Sequence, residues 1–176
     1  FVSKISGLMI IYIYGEDTFR SRNYLTQQVE RFKKERDPQN LNVVILDGQT
    51  DGDRIWGEIL ATPFLAEKRM VVIKNILSSK DAEVLESLAE GLKNKAIPEN
   101  NVIIFYQGEH LGKSKVCQEL AKTLAKEKWA RHFELLVGAQ LANWIKEETV
   151  QRGGAINIMA INFLAQNAGK DMWYLN

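Results

Sequence analysis

The sequence predicts an α/β fold: a five-stranded, mostly parallel sheet with helices on both faces, followed by a small helical domain. Three observations predict it. Five apolar runs of strand length recur through the first 136 residues, amphipathic stretches of helical period lie between them, and beyond Leu136 the strand-like runs stop. A chain of 176 residues holds one α/β domain and part of a second.

The first run, "MIIYIY" (9–14), ends at Gly15, and a helix follows over 18–36, where Tyr24, Leu25, Val29 and Phe32 fall at helical spacing and Pro38 forbids continuation. "LNVVIL" (41–46) is the second strand, with a helix at about 51–60 behind it. "RMVVIK" (69–74) and "NVIIFY" (101–106) are the third and fourth, separated by a helix over 80–94 that carries Leu85, Leu88, Ala89 and Leu92 on one side. A helix over 113–127 leads to the weakest run, "ARHFEL" (130–135). The runs are continuous rather than alternating, as expected of strands buried on both faces of a parallel sheet. Two further helices, about 138–151 and 157–168, are separated by "RGGA" with Gly153 and Gly154 as C-caps, and a third begins at Asp171 after Gly169.

Residues 1–8, "FVSKISGL", read as a non-native or disordered leader, with Met9 as the native start. Residues 9–136 form the α/β domain, and 137–176 an incomplete helical one that stops within its third helix. With 45% hydrophobic and 26% charged residues the composition is that of an ordinary globular protein, and no apolar run approaches the roughly 18–20 residues of a membrane span. A net charge of +1 gives no global attraction to nucleic acid. Cys117 is the single cysteine and His110 and His132 the only histidines, so an intrachain disulfide and a Cys- or His-rich metal site are excluded, and the cytoplasm is the default address.

"YIYGEDTFRSR" (12–22) has the outline of a phosphate-binding loop: strand, glycine turn, helix start. The P-loop pattern G-x-x-x-x-G-K-[ST] needs glycine, lysine and a hydroxyl because backbone N–H groups cradle the phosphates, lysine neutralises them and the hydroxyl holds magnesium. Counted from Gly15, those places hold Arg20, Ser21 and Arg22. The third strand runs out into Lys74 and Asn75, with no carboxylate for magnesium, and Glu16 and Asp17 repel an anion. A glycine turn with Asp17 or Thr18 capping a helix accounts for the same residues. No cofactor, metal or catalytic residue is expected. His110 follows a strand end and is either a loop residue or a functional one, and Cys117 reads as a packed thiol.

The order of the pieces resembles the delta subunit of the bacterial DNA polymerase III clamp loader. The likeness runs through "YGED", "TPFLAEKRMVVIKN" (62–75), "VIIFYQGEHLGKSK" (102–115) and "LANWIKEETVQRGGAINIMAINFLAQNAGKDMWYL" (141–175). It implies an AAA+-like domain that neither binds nor hydrolyses ATP, with no catalytic activity of its own inside a complex classed as a DNA-directed DNA polymerase. The task it implies is to bind the ring-shaped sliding clamp, the beta subunit, and open it for loading onto DNA. The other partners implied are the gamma/tau and delta prime loader subunits, joined through a collar domain absent from this chain, and DNA through the assembled complex; no membrane is implied.

The resemblance places the clamp contact on Phe64 and Leu65, with Thr62 where the family pattern carries an apolar residue. "ATPFLAEK" connects a helix to a strand and so lies beyond the amino ends of the strands, opposite the crevice where such sheets bind nucleotides. Large apolar residues in a short connection either cap the core or face a partner. The alternative function, a degenerate P-loop-type domain that binds DNA or another protein directly, rests on Lys113, Lys115, Lys122, Lys126, Lys128 and Arg131, which otherwise form a solvated helix face interrupted by Glu119 and Glu127.

Overall fold

A computed structural model describes residues 8–94, 96–108, 110–167 and 171–175. Strands β1 (Met9–Tyr14), β2 (Val43–Asp47), β3 (Arg69–Lys74), β4 (Asn101–Gln107) and β5 (Trp129–His132) form one sheet in the order β2-β3-β4-β1-β5. Every pairing is parallel: Val43 lies beside Met70, Arg69 beside Asn101, Met9 beside Val102, and Tyr14 beside His132. The expected sheet is thus all-parallel. β4, at the centre, is buried at every residue, which is why its sequence shows no polar alternation.

Helix α1 (Thr18–Arg36) covers one face, packing Leu25, Val29 and Phe32 against Ile11, Ile13, Val72 and Ile104. Helices α2 (Gly52–Leu60), α3 (Ala82–Lys93) and α4 (Lys115–Leu124) cover the other with Ile55, Ile59, Leu85, Leu88 and Leu120 against Tyr12, Val71, Ile73 and Phe105. Each of these four helices starts at a side-chain cap, Asp17, Asp51, Asp81 or Ser114, whose oxygen accepts from the first turn.

The fifth run is corrected at its end. β5 stops at His132: the Phe133 N–H still donates to the Tyr14 carbonyl at 2.7 Å, the last bond of the ladder, but its carbonyl turns to accept from the Asp17 N–H at 3.0 Å beyond the end of β1, and the expected strand residues 133–135 lie outside the sheet. Helices α5 (Gly138–Gln151) and α6 (Ile158–Asn167) follow, and Gly153, at φ +78°, closes the first of them. The third helix expected from Asp171 is a turn in its described residues, with the Asp171 carboxylate accepting from Trp173 and Tyr174. The Gly169 break before it, and residues 1–7 of the expected leader, lie outside the described residues; Leu8 packs on the core. α5, α6 and this turn share a third apolar cluster, Leu141, Ile145, Ile161 and Met172, with Phe19 from the first turn of α1. Among the described residues no helix is long and apolar enough to cross a membrane.

Candidate functional site: the Thr62–Leu65 turn and the sealed phosphate turn

The two ends of the sheet differ in what they leave free. At the amino end, residues 61–68 connect α2 to β3. The connection is held at both edges and in the middle. Asn101, at the start of β4, donates from Nδ2 to the carbonyls of Ile59 and Ala61 at 2.7 and 3.1 Å, capping α2 where the loop departs. Lys68 donates to the Glu99 carbonyl at 2.8 Å, and Arg69 pairs with Glu58. In the middle, Asn42 brackets Phe64: Oδ1 accepts from its N–H at 2.6 Å and Nδ2 donates to its carbonyl at 2.9 Å.

On this anchored backbone the side chains point outward. Phe64 is 60% and Leu65 84% exposed, and Thr62 is exposed beside them. The alternative in which the pair caps the core is therefore excluded. Leu65 has φ +53°, a left-handed conformation that costs a residue with a Cβ about 1–2 kcal/mol. Two large apolar side chains in water on a strained, well-anchored turn have the makeup of a contact surface, since burying each contributes about 1.5–3 kcal/mol.

At the carboxyl end the turn after β1 is filled. Gly15 has φ +128°, and a Cβ on it would collide with the Phe133 carbonyl, so the main chain of Phe133 packs directly against the turn. The Asp17 N–H donates to that carbonyl. The three positions that fail the P-loop pattern each have another task. Arg20 binds the Asp17 carboxylate at 2.6 Å, donates to the Glu134 carbonyl, and lies over the Phe133 ring. Ser21, fully buried, reaches the Tyr106 hydroxyl at 3.4 Å, and Arg22 lies over the Trp173 ring at 5.5 Å. Beyond β3, Asn75 is left-handed, its N–H donates to the Tyr106 carbonyl at 2.7 Å and its side chain accepts from Gly108 at 3.0 Å. Phe19 meets Trp144 and Trp173 edge-on, closing the gap between the phosphate turn and α5.

The other candidates are structural or scattered. His110 is an exposed loop residue whose carbonyl accepts from Ser78. Cys117 is buried, its thiol donates to the Leu77 carbonyl at 2.9 Å, and burial pushes its pKa up, the opposite of a reactive thiolate. Of the six cations considered for DNA, Lys115 pairs with Glu119 at 3.8 Å and Lys128 lies over Trp129. Among the described residues no cluster of side chains could hold a metal ion.

Reading the sequence missed Asn42, Asn101 and Asp37. The signal was present in part: an asparagine immediately precedes the β-branched run of the second and fourth strands, where a polar side chain is buried at 1% and 0% exposure. Asp37, 3% exposed at the end of α1, accepts from the Leu41 and Asn42 N–H groups and from the Asn42 side chain. Burial raises the pKa of this carboxyl, but those hydrogen bonds, with the nearby Lys33 charge, lower it by more, and it lies below its ordinary value.

Comparison with known proteins places this geometry. The chain is similar in fold to the DNA clamp loader delta protein of Bacillus subtilis, at 18% identity and a TM-score of 0.57, over 92% of this chain and 48% of that one. It is also similar to a DNA polymerase III gamma subunit-related protein of Thermotoga maritima, at 18% identity and a TM-score of 0.53, over 81% of this chain and 46% of that one. The chain thus spans about half the length of these structures. No curated protein sequence matches it. The sequence model of the family described as DNA polymerase III, delta subunit, matches residues 12–134, which include both turns, and with most of its length inside that match the chain belongs to the DNA polymerase III delta subunit family.

Proposed function

We propose that this chain acts in DNA replication as the clamp-binding part of a clamp-loader delta subunit, gripping the sliding clamp through Phe64, Leu65 and Thr62 and biasing its ring toward opening without binding or hydrolysing ATP. One observation carries the reading: the two large apolar side chains of the 61–68 connection stand 60% and 84% exposed on a turn whose backbone is fixed from within. The filled phosphate turn supports the second half, because its donors and its buried serine already have protein partners. Residues 9–136 and 137–176 are proposed as an AAA+-like domain and a lid, with the phosphate turn and the lid held together by Phe19. In the longer protein the partners are the beta clamp, the gamma/tau and delta prime subunits and, through the assembly, DNA in the cytoplasm; no catalysis is assigned to this chain.

The anchors do not make the whole interface. The pair supplies roughly 3–6 kcal/mol on burial, against about 4–15 kcal/mol for the freedom lost on association. Neighbouring contacts contribute the rest, with Phe64 and Leu65 as hot spots. Opening follows by linkage, since a ligand that contacts the open ring better than the closed one shifts the equilibrium by that difference in affinity and no more. The test is release of the cognate clamp from closed circular DNA. Stoichiometric release by this chain with no nucleotide present supports the proposal, and a clamp that stays on the circle at saturating chain contradicts it.

A further inference from the structure

We propose that Asn42 is a positioning residue for the Phe64–Leu65 turn, backed by Asp37, and that it sets the affinity of the turn for its partner without touching that partner. The proposal rests on the reading of the turn as the clamp contact. Asn42 is 1% exposed, so it has no surface to offer a clamp. Its amide pairs with both backbone groups of Phe64, as a neighbouring strand would, accepting at 2.6 Å and donating at 2.9 Å. A flipped amide would face the Phe64 N–H with its own donor, so the orientation is fixed by its partners. The second Nδ2 hydrogen goes to Asp37 Oδ1 at 3.1 Å, and Asp37 also accepts from the Asn42 N–H at 2.7 Å and the Leu41 N–H at 3.0 Å. The carboxylate thereby fixes both ends of the residue that fixes Phe64.

Such a brace is needed because the side chains it presents have nothing to lean on. Leu65 is 84% exposed with φ +53°, so packing does not hold the left-handed backbone there; the bonds at Phe64 do. Without them the turn relaxes toward conformations in which Phe64 and Leu65 no longer face outward together. The clamp then has to reorder the turn on binding, and the affinity falls by the fraction of time the turn is correct.

The experiment combines amide hydrogen exchange with clamp titration for Asn42→Ala. The Phe64 amide should exchange at least ~10-fold faster while the amides of β3 and β4 keep their protection, and clamp affinity should fall about tenfold, equivalent to about 1.4 kcal/mol. In a Phe64→Ala plus Leu65→Ala background the same change should cost less than twofold, because the side chains it positions are gone. Loosened exchange at Phe64 with unchanged clamp affinity overturns the proposal, as does an equal loss of affinity in both backgrounds. If Phe64→Ala plus Leu65→Ala itself leaves clamp affinity intact, the reading of the turn has failed, and the positioning proposal fails with it. Asp37→Asn, which keeps one acceptor oxygen but turns an NH2 donor toward the group that the other oxygen served, covers the case in which Asn42→Ala does not fold. It should give a smaller loss of both exchange protection and affinity, and no change in either overturns the proposal.

Discussion

Arg20→Ala probes the sealed phosphate turn most sharply. It removes a charge-assisted bond of 2.6 Å to the Asp17 carboxylate, whose side chain has no exposed surface, together with the bond to the Glu134 carbonyl and the guanidinium over the Phe133 ring. A hydrogen bond to a charged group contributes about 1.5–3 kcal/mol. Because the Arg20 side chain is 26% exposed and screened by solvent, the lower part of that range applies. The carbonyl bond adds about 1 kcal/mol and the ring contact about 0.5 kcal/mol. Asp17 keeps the Arg20 N–H at 2.9 Å and the helix start, so the loss stays below that of a fully stranded buried charge. The sum is about 2–4 kcal/mol, and at roughly 2–4 °C per kcal/mol for a chain of this size the melting temperature should fall by roughly 4–16 °C. Thermal unfolding by circular dichroism reads it. The same scans with millimolar magnesium and ATP should show no recovery, because the Asp17 N–H still donates to Phe133 and Ser21 supplies no charge. A melting temperature within about 1 °C of the parent refutes the brace, and nucleotide-dependent recovery refutes the claim that the turn is occupied by the protein itself.

Two further predictions use the same structure. Phe19→Ala removes the aromatic side chain shared by α1 and the α5–α6 cluster, and a loss of about 3 kcal/mol should speed amide exchange in Gly138–Asn167 about 100-fold while β3 and β4 stay protected. The Asp37 carboxyl has a folded pKa below its ordinary 3.8, so its contribution to stability is complete above that value and is lost as the pH falls through the folded pKa. Asp37→Asn should therefore lower stability at neutral pH and flatten its decline below about pH 4, as read by urea unfolding at a series of pH values; an unchanged acid limb would show that this group does not titrate with folding.

Much of the fold was legible because strand composition and helix caps agree with the tertiary arrangement. "RMVVIK" has the bounds of β3 because charged residues flank an apolar run at both ends, and Asp17, one of the two caps expected after Gly15, marks the start of α1 by chemistry that acts locally. Phe133–Leu135 read as strand and are not, since their path is set by Gly15 and Asp17, more than a hundred residues earlier. Asp171 carries a helix-starting signal, yet its described residues form a turn, with Trp173 on Phe19 and its indole N–H on Thr18. At the candidate site, Phe64 and Leu65 were legible as apolar residues stranded in a short connection after Pro63. Their support was not. Asp37 beside Pro38 reads as a helix stop, Asn42 as the lead-in to a strand, and nothing in a leucine announces a left-handed backbone at Leu65. Contacts between positions 42 and 64 are set by the register of β2 on β3, which local pattern does not carry.

Calorimetric titration of the cognate clamp with the parent chain and with Phe64→Ala plus Leu65→Ala tests the central claim most directly. The parent should bind saturably with the same affinity in the presence and absence of magnesium and ATP. The double variant should bind at least ~30-fold more weakly, about 2 kcal/mol, with its own melting temperature nearly unchanged, because both side chains are exposed in the free protein. Clamp affinity that survives the double change, or that appears only with ATP, would contradict it.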